Sequence, residues 1–209
     1  MENRYRLLQT IVRRAREAVG PTFPISVKLN SSDFQKGGFT QEESLTVIGM
    51  LDQEGIDLLE ISGGTYENVV FFMMNEDVDS STHKREAYFI DFATQVRKVA
   101  SVPLLITGGF RSFDFCNKVL SHGELDLIGM VRPFITNLVD IPRFLTGALP
   151  ELKNLIVRSG IKQFEDGAEG GYYARQIIRL AQGKAVDPRL RPLLSSLFLV
   201  WHELTMSMR

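Results

Sequence analysis

The chain has 209 residues, 44% hydrophobic and 23% charged, with a formal net charge of −1. This is the make-up of one large globular domain or two small ones, and the near-neutral charge with no basic block excludes a general attraction to nucleic acid. One cysteine, Cys116, excludes a disulfide framework within the chain, and no run reaches the ~18 apolar residues of a membrane span. The N-terminal MENRYRLLQT is charged from its second residue and lacks a signal-peptide core. The expected location is the cytoplasm, with no membrane partner.

Residues 2–19 place Leu7, Leu8, Ile11, Val12, Ala15 and Val19 at helical spacing, and Gly20-Pro21 stops that helix. PISVKLN (24–30) reads as a strand. Thr40 with Glu43 three residues on is a capping-box signature for a helix reaching about Glu54, closed by Gly55. DLLEIS (57–62) is a second strand, leaving through Gly63-Gly64. Residues 75–84, NEDVDSSTHK, read as an exposed loop, and 85–100 as a helix. PLLIT (103–107) is a third strand, 112–121 a short helix with Ser112 as a plausible N-cap, and DLIGMV (126–131) a fourth strand. From about 149 onward no strand pattern remains; 168–182 and 189–207 read as helices, the second with a long apolar stripe in LLSSLFLVWHEL.

Short apolar strands alternating with helices predict an α/β fold with a parallel sheet. A doubly wound sheet and part of a (β/α)8 barrel both satisfy the pattern. In either, ligand chemistry gathers at the carboxyl ends of the strands. Those ends are Asn30 beyond Lys28, Ser62-Gly63-Gly64, Thr107-Gly108-Gly109, and Arg132-Pro133. Lys28 in an apolar strand is either paired with a carboxylate or faces an anionic ligand, since an unpartnered buried ammonium is costly. Gly108-Gly109 is either a tight turn or a phosphate cradle, because glycine lets backbone N–H groups approach an anion closely. Arg132 is either a phosphate clamp or a surface arginine. The three histidines, His83, His122 and His202, are scattered, so no metal site is expected. Cys116, in FDFCNKVL, reads as a buried structural thiol.

ENRYRLL, PISVKLNSSDFQKGGF, DLLEISGG, REAYFIDFA, PLLITGGFRS and DLIGMVRPF occur in this order over residues 2–147. Together they resemble the Old Yellow Enzyme family of flavin oxidoreductases and, more narrowly, its NADH:flavin oxidoreductase/NADH oxidase branch. AEGGYYARQ is similar to that branch as well. The resemblance implies an FMN-binding TIM (β/α)8 barrel, of which this chain carries the C-terminal half as residues 1–148, followed by a helical extension over 149–209. It implies that Lys28 faces the pyrimidine edge of the flavin, where a cation stabilises the anionic reduced form. It implies that Gly108, Gly109 and Phe110 hold the FMN phosphate, completed by Val131 N–H and Arg132. Many members have Gly-Arg-Pro where this chain has Val131-Arg132-Pro133.

The family's first four strands, and the H-x-x-[HN]-G pattern that anchors its substrate, have no counterpart here, so no catalytic residue is carried over. Three readings follow. The chain is the C-terminal half of an FMN-dependent oxidoreductase passing electrons from NAD(P)H through flavin to an electron-poor small molecule. Or it is a half-barrel that binds FMN or phosphate and needs a separate N-terminal half or a second copy for turnover. Or it is a phosphate-binding barrel with non-redox chemistry. Four strands alone are expected to leave two open sheet edges and an exposed apolar inner face.

Overall fold

The computed structural model describes residues 2–33, 36–62, 90–108, 110–153 and 165–207. The Gly63-Gly64 exit, the 75–84 loop, the start of the 85–100 helix and Gly109 lie outside them. The chain divides into two compact units, residues 1–110 with 114–130, and residues 111–113 with 131–209.

In the first unit the expected elements form with small trims at their ends. They are α1 (Glu2–Val19), β1 (Ser26–Asn30), α2 (Gln41–Gln53), β2 (Leu58–Ser62), α3 (residues 90–96), β3 (Leu104–Thr107), α4 (Phe113–Ser121) and β4 (Leu127–Gly129). The strands make one parallel sheet in the order β1-β2-β3-β4. Sequential order with helices between strands is the signature of consecutive (β/α) units, so the barrel-type winding holds over the doubly wound alternative.

Side chains alternate across the sheet. Val27, Leu59, Ile61, Leu104 and Ile106 lie on one face and are buried, as are Val47, Ile48, Leu51, Phe92 and Val96 of α2 and α3. The opposite face carries Lys28, Asn30, Glu60, Ser62 and Thr107 beside Leu58, Leu105 and Leu127, and none of these is fully buried. The face expected to be apolar is therefore mixed, because polar residues occupy alternate positions on β1 and β2.

The capping box at α2 forms as expected: Glu43 N–H donates to Thr40 Oγ1 and Thr40 N–H to the Glu43 carboxylate, both at 3.2 Å. Such a cap contributes about 1 kcal/mol. The apolar arc of α1 is wider than the surface it packs on. Val12 is buried, while Leu7 and Ile11 stay exposed and Tyr5 enters the core instead.

The amino ends of the strands are fastened by two matching staples. Asp57, just before β2, accepts from Arg16 and from Ile25 N–H at 2.7 Å. Asp126, just before β4, accepts from Arg97 and from Leu104 N–H at 2.7 Å. In each staple one carboxylate ties an arginine, Arg16 within α1 or Arg97 just past α3, to the start of the neighbouring strand. Asp52 near the end of α2 does similar work, accepting from Val102 N–H at 2.9 Å.

The second unit contains α5 (Arg132–Thr136), a 3-10 turn (Leu138–Asp140), α6 (Ile141–Leu145), α7 (Glu165–Ala181) and α8 (Pro192–Ser207). The tail is helical as expected, with one departure: Ser112 forms an isolated antiparallel bridge with Glu151. Phe113 N–H donates to Pro150 O at 2.9 Å and Leu152 N–H to Arg111 O at 3.0 Å, which extend that contact. Helices α7 and α8 pack on each other. A Cβ on Gly171 would stand 2.5 Å from Ser196 Cα, so glycine permits their close approach. Among the described residues, no helix is long and apolar enough to cross a membrane.

Candidate functional site

The carboxyl ends of β1 and β2 are joined by a polar network. Lys28 stands opposite Glu60 in the strand register, and Asn30 opposite Ser62. Ser62 Oγ donates to Asn30 Oδ1 at 2.8 Å. Ser31 N–H donates to Ser62 O at 2.6 Å, and Ser44 Oγ to Asn30 O at 2.8 Å. Asp33 closes the loop that follows, accepting from Asn30 Nδ2 and Phe39 N–H while its own N–H donates to Phe39 O. Ser31 and Ser44 are fully buried, so the hydrogen bonds of the exit are internal rather than borrowed from water.

Lys28 Nζ lies 2.8 Å from Glu60 Oε1. The carboxylate-paired reading of Lys28 is thus the observed one within the chain itself. The lysine side chain is 56% exposed and the glutamate 20% exposed. An ammonium has three donors, so a half-open lysine tethered through one of them can still meet a ligand acceptor.

At the β3 exit, Gly108 adopts φ +114, a conformation that favours glycine, and a Cβ there would meet nothing within 4 Å. Its N–H donates to Gly129 O at 3.0 Å and so extends the β3–β4 ladder. Phe110 is buried and stacks on Phe115, with ring centroids 5.8 Å apart. Gly129 is constrained more tightly: a Cβ would stand 2.1 Å from Thr107 Oγ1. Thr107 and Gly129 are register partners, so the threonine fills the space that a side chain on β4 would need.

In the second unit, Val131 is exposed and caps α5, and Arg132 begins that helix. Arg132 Nη1 lies 2.8 Å from Glu169 Oε1 of α7. Tyr173, one turn further along α7, is buried. Burial, opposed by Arg132 and reinforced by Glu169, pushes its phenol up to about 12.

Of the six residues singled out from sequence, Lys28, Gly108 and Phe110 belong to the first unit, Val131 and Arg132 to the second, and Gly109 is outside the described residues. Lys28 is level with Leu105 across the sheet, three residues before Gly108, a rise of about 10 Å along the strands. Sequence reasoning missed Glu60, Gly129 and Glu169. Glu60 carried a signal, a charged residue between the apolar Leu59 and Ile61, but its partner follows only from the register.

The family model for NADH:flavin oxidoreductase / NADH oxidase matches residues 1–145. The chain is 29% identical over 136 residues to an NADH oxidase of Thermoanaerobacter brockii, covering 65% of this chain and 20% of that protein. It is 34% identical over 139 residues to the NADH-dependent flavin oxidoreductase iliE of Hypocrea jecorina, covering 65% of this chain and 34% of that protein. The solved old yellow enzyme homologue from Zymomonas mobilis superposes with a TM-score of 0.51 at 23% identity, over 74% of this chain and 40% of that one. That likeness is one of fold. The stretch matched spans a fifth to about a third of the length of the two curated relatives.

Proposed function

Because the chain belongs to the NADH:flavin oxidoreductase / NADH oxidase family, we propose that it serves an FMN-dependent oxidoreductase drawing on NAD(P)H and delivering to an electron-poor small molecule. The observation that carries this is the family match over residues 1–145, which contains all six candidate residues. The local chemistry fits a flavin. A half-open ammonium stands at the middle of β1, and a glycine at φ +114 whose Cβ position is open follows the end of β3. Bound FMN supplies the two-electron relay between reductant and acceptor.

The chain's own residues have narrower tasks. Lys28 offers a cation and hydrogen-bond donors to the electron-rich edge of the flavin. Gly108 turns the chain at the β3 exit, and with its own N–H given to Gly129, the phosphate-binding role passes to the amides of Gly109 and Phe110. Val131 and Arg132 are further phosphate-binding candidates, with Glu169 as the internal partner any anion must compete with for Arg132. The test is direct: FMN is titrated into the purified chain and its fluorescence followed, then NAD(P)H oxidation is assayed. Micromolar FMN binding is the expected result. No binding at millimolar FMN overturns the proposal.

A second reading is favoured by the short coverage of the relatives: a partner-dependent half-barrel. β1 and β4 are the outer strands of the described sheet, and their outer edges would accept further strands. These would come from a separate N-terminal half or a second copy. This reading expects FMN binding with little NAD(P)H oxidation until such strands are supplied; vigorous oxidation by a monomer, shown by light scattering, overturns it.

A further inference from the structure

We propose that Glu60 is a positioning residue for Lys28, holding its ammonium in place and lowering the net charge it presents, so that Glu60 sets the balance between oxidised and reduced flavin. The inference rests on the flavin reading above. It is carried by three features of the pair. Lys28 and Glu60 are register partners on adjacent parallel strands, so both side chains leave the same face of the sheet at the same level. Their charged atoms are 2.8 Å apart. The carboxylate is the enclosed member and the ammonium the open one, with side chains 20% and 56% exposed.

The asymmetry decides what the pair can do. A free lysine at this point would be a flexible cation with four rotatable bonds, attracting whichever ligand form carries negative charge. Held by Glu60, its head is localised and the attraction it exerts on a ligand atom in contact with it is reduced by about half. Its register neighbours on that face, Asn30, Ser62, Leu58 and Leu105, are neutral, and Asp33, a further carboxylate of the exit network, is engaged by Asn30 Nδ2 and Phe39 N–H. The pair therefore donates hydrogen bonds well but selects only weakly for an anion. A flavin resting there keeps its oxidised form competitive with the anionic reduced form, as a carrier that is reduced and reoxidised in turn requires.

The experiment uses the full chain. Dissociation constants for oxidised FMN and for dithionite-reduced FMN are measured anaerobically for the wild type, Glu60→Gln, Lys28→Met and the double variant. Glu60→Gln keeps the size and hydrogen-bonding of the side chain but bares the ammonium. It is expected to shift the ratio of the two constants about tenfold toward reduced FMN. Lys28→Met bares the carboxylate and shifts the ratio the other way, and the double variant returns close to wild type. A purely structural role for Glu60 would weaken both forms alike and leave the ratio unmoved. An unchanged ratio in Glu60→Gln, or in Lys28→Met should the first variant fail to fold, overturns the inference and leaves the flavin reading standing. Failure of the wild type to bind either form overturns the flavin reading, and this inference with it.

Discussion

The two ends of the four-stranded sheet are built from different chemistry. At the amino ends, Asp57 and Asp126 each join an arginine from the preceding helix or the turn after it to the start of a neighbouring strand. At the carboxyl ends of β1 and β2, amides and hydroxyls bond one another and the Asp33 carboxylate, while the Lys28–Glu60 pair lies at mid-strand on the same face with its ammonium half open to solvent. The first end uses its charge to hold the fold together; the second is bonded internally and carries a half-open ammonium, Lys28, on the same face. This is the division expected of (β/α) architectures, in which the amino face stabilises and the carboxyl face binds.

The comparison can be broken in a graded way. The largest expected effect is at the carboxyl end itself: Gly129→Ala sets a Cβ 2.1 Å from Thr107 Oγ1 and should destabilise the fold by about 3 kcal/mol in urea denaturation. Adding Thr107→Gly should recover part of that loss, and no recovery would mean the clash is not with Thr107. Next, Asp126→Ala strands Leu104 N–H at the start of a fully buried residue. It should cost about 2 kcal/mol while leaving FMN affinity within twofold of wild type. A large loss of affinity there would blur the distinction between the ends.

Gly108→Ala is a smaller change in stability, about 1–2 kcal/mol from forcing a side chain to φ +114. It should nevertheless weaken FMN more than Asp126→Ala does, which is the ordering that a binding end and a structural end require. The smallest effect is the pH dependence of the staples. Ile25 N–H and Arg16 hold the Asp57 carboxyl below its ordinary value. For Asp126, burial pushes up, but Arg97 and Leu104 N–H outweigh it and the net shift is downward. A carboxyl lowered by folding contributes stability that is complete above its unfolded value and is lost as pH falls through the folded one. The staples should therefore weaken below about pH 4, and Asp57→Asn should flatten that acid limb in thermal melts without changing FMN binding at neutral pH.

Much of this division was legible in the sequence. Alternating apolar strands and helices gave the parallel α/β class but left the winding open between two alternatives, the Thr40–Glu43 spacing gave the cap, and the polar strand exits at Asn30, Ser62 and Thr107 stood out as candidates for binding. The pairings were not legible. Glu60 becomes the partner of Lys28 only when β1 and β2 align without a shift, and a one-residue slip would send the two to opposite faces. Glu169 meets Arg132 from 37 residues away, a distance no local pattern encodes. Nothing local to β4 marks Gly129, since the reason for it sits on the adjacent strand in Thr107.

The loop closed by Asp33 has a consequence for association kinetics. Asn30, Ser31, Ser44, Ser62 and Phe39 already satisfy one another around it. At these residues an incoming molecule therefore meets hydrogen bonds that are already made before encounter. Recognition at this edge should be fast and governed by fit, with selectivity expressed in how long a ligand stays rather than in how quickly it arrives.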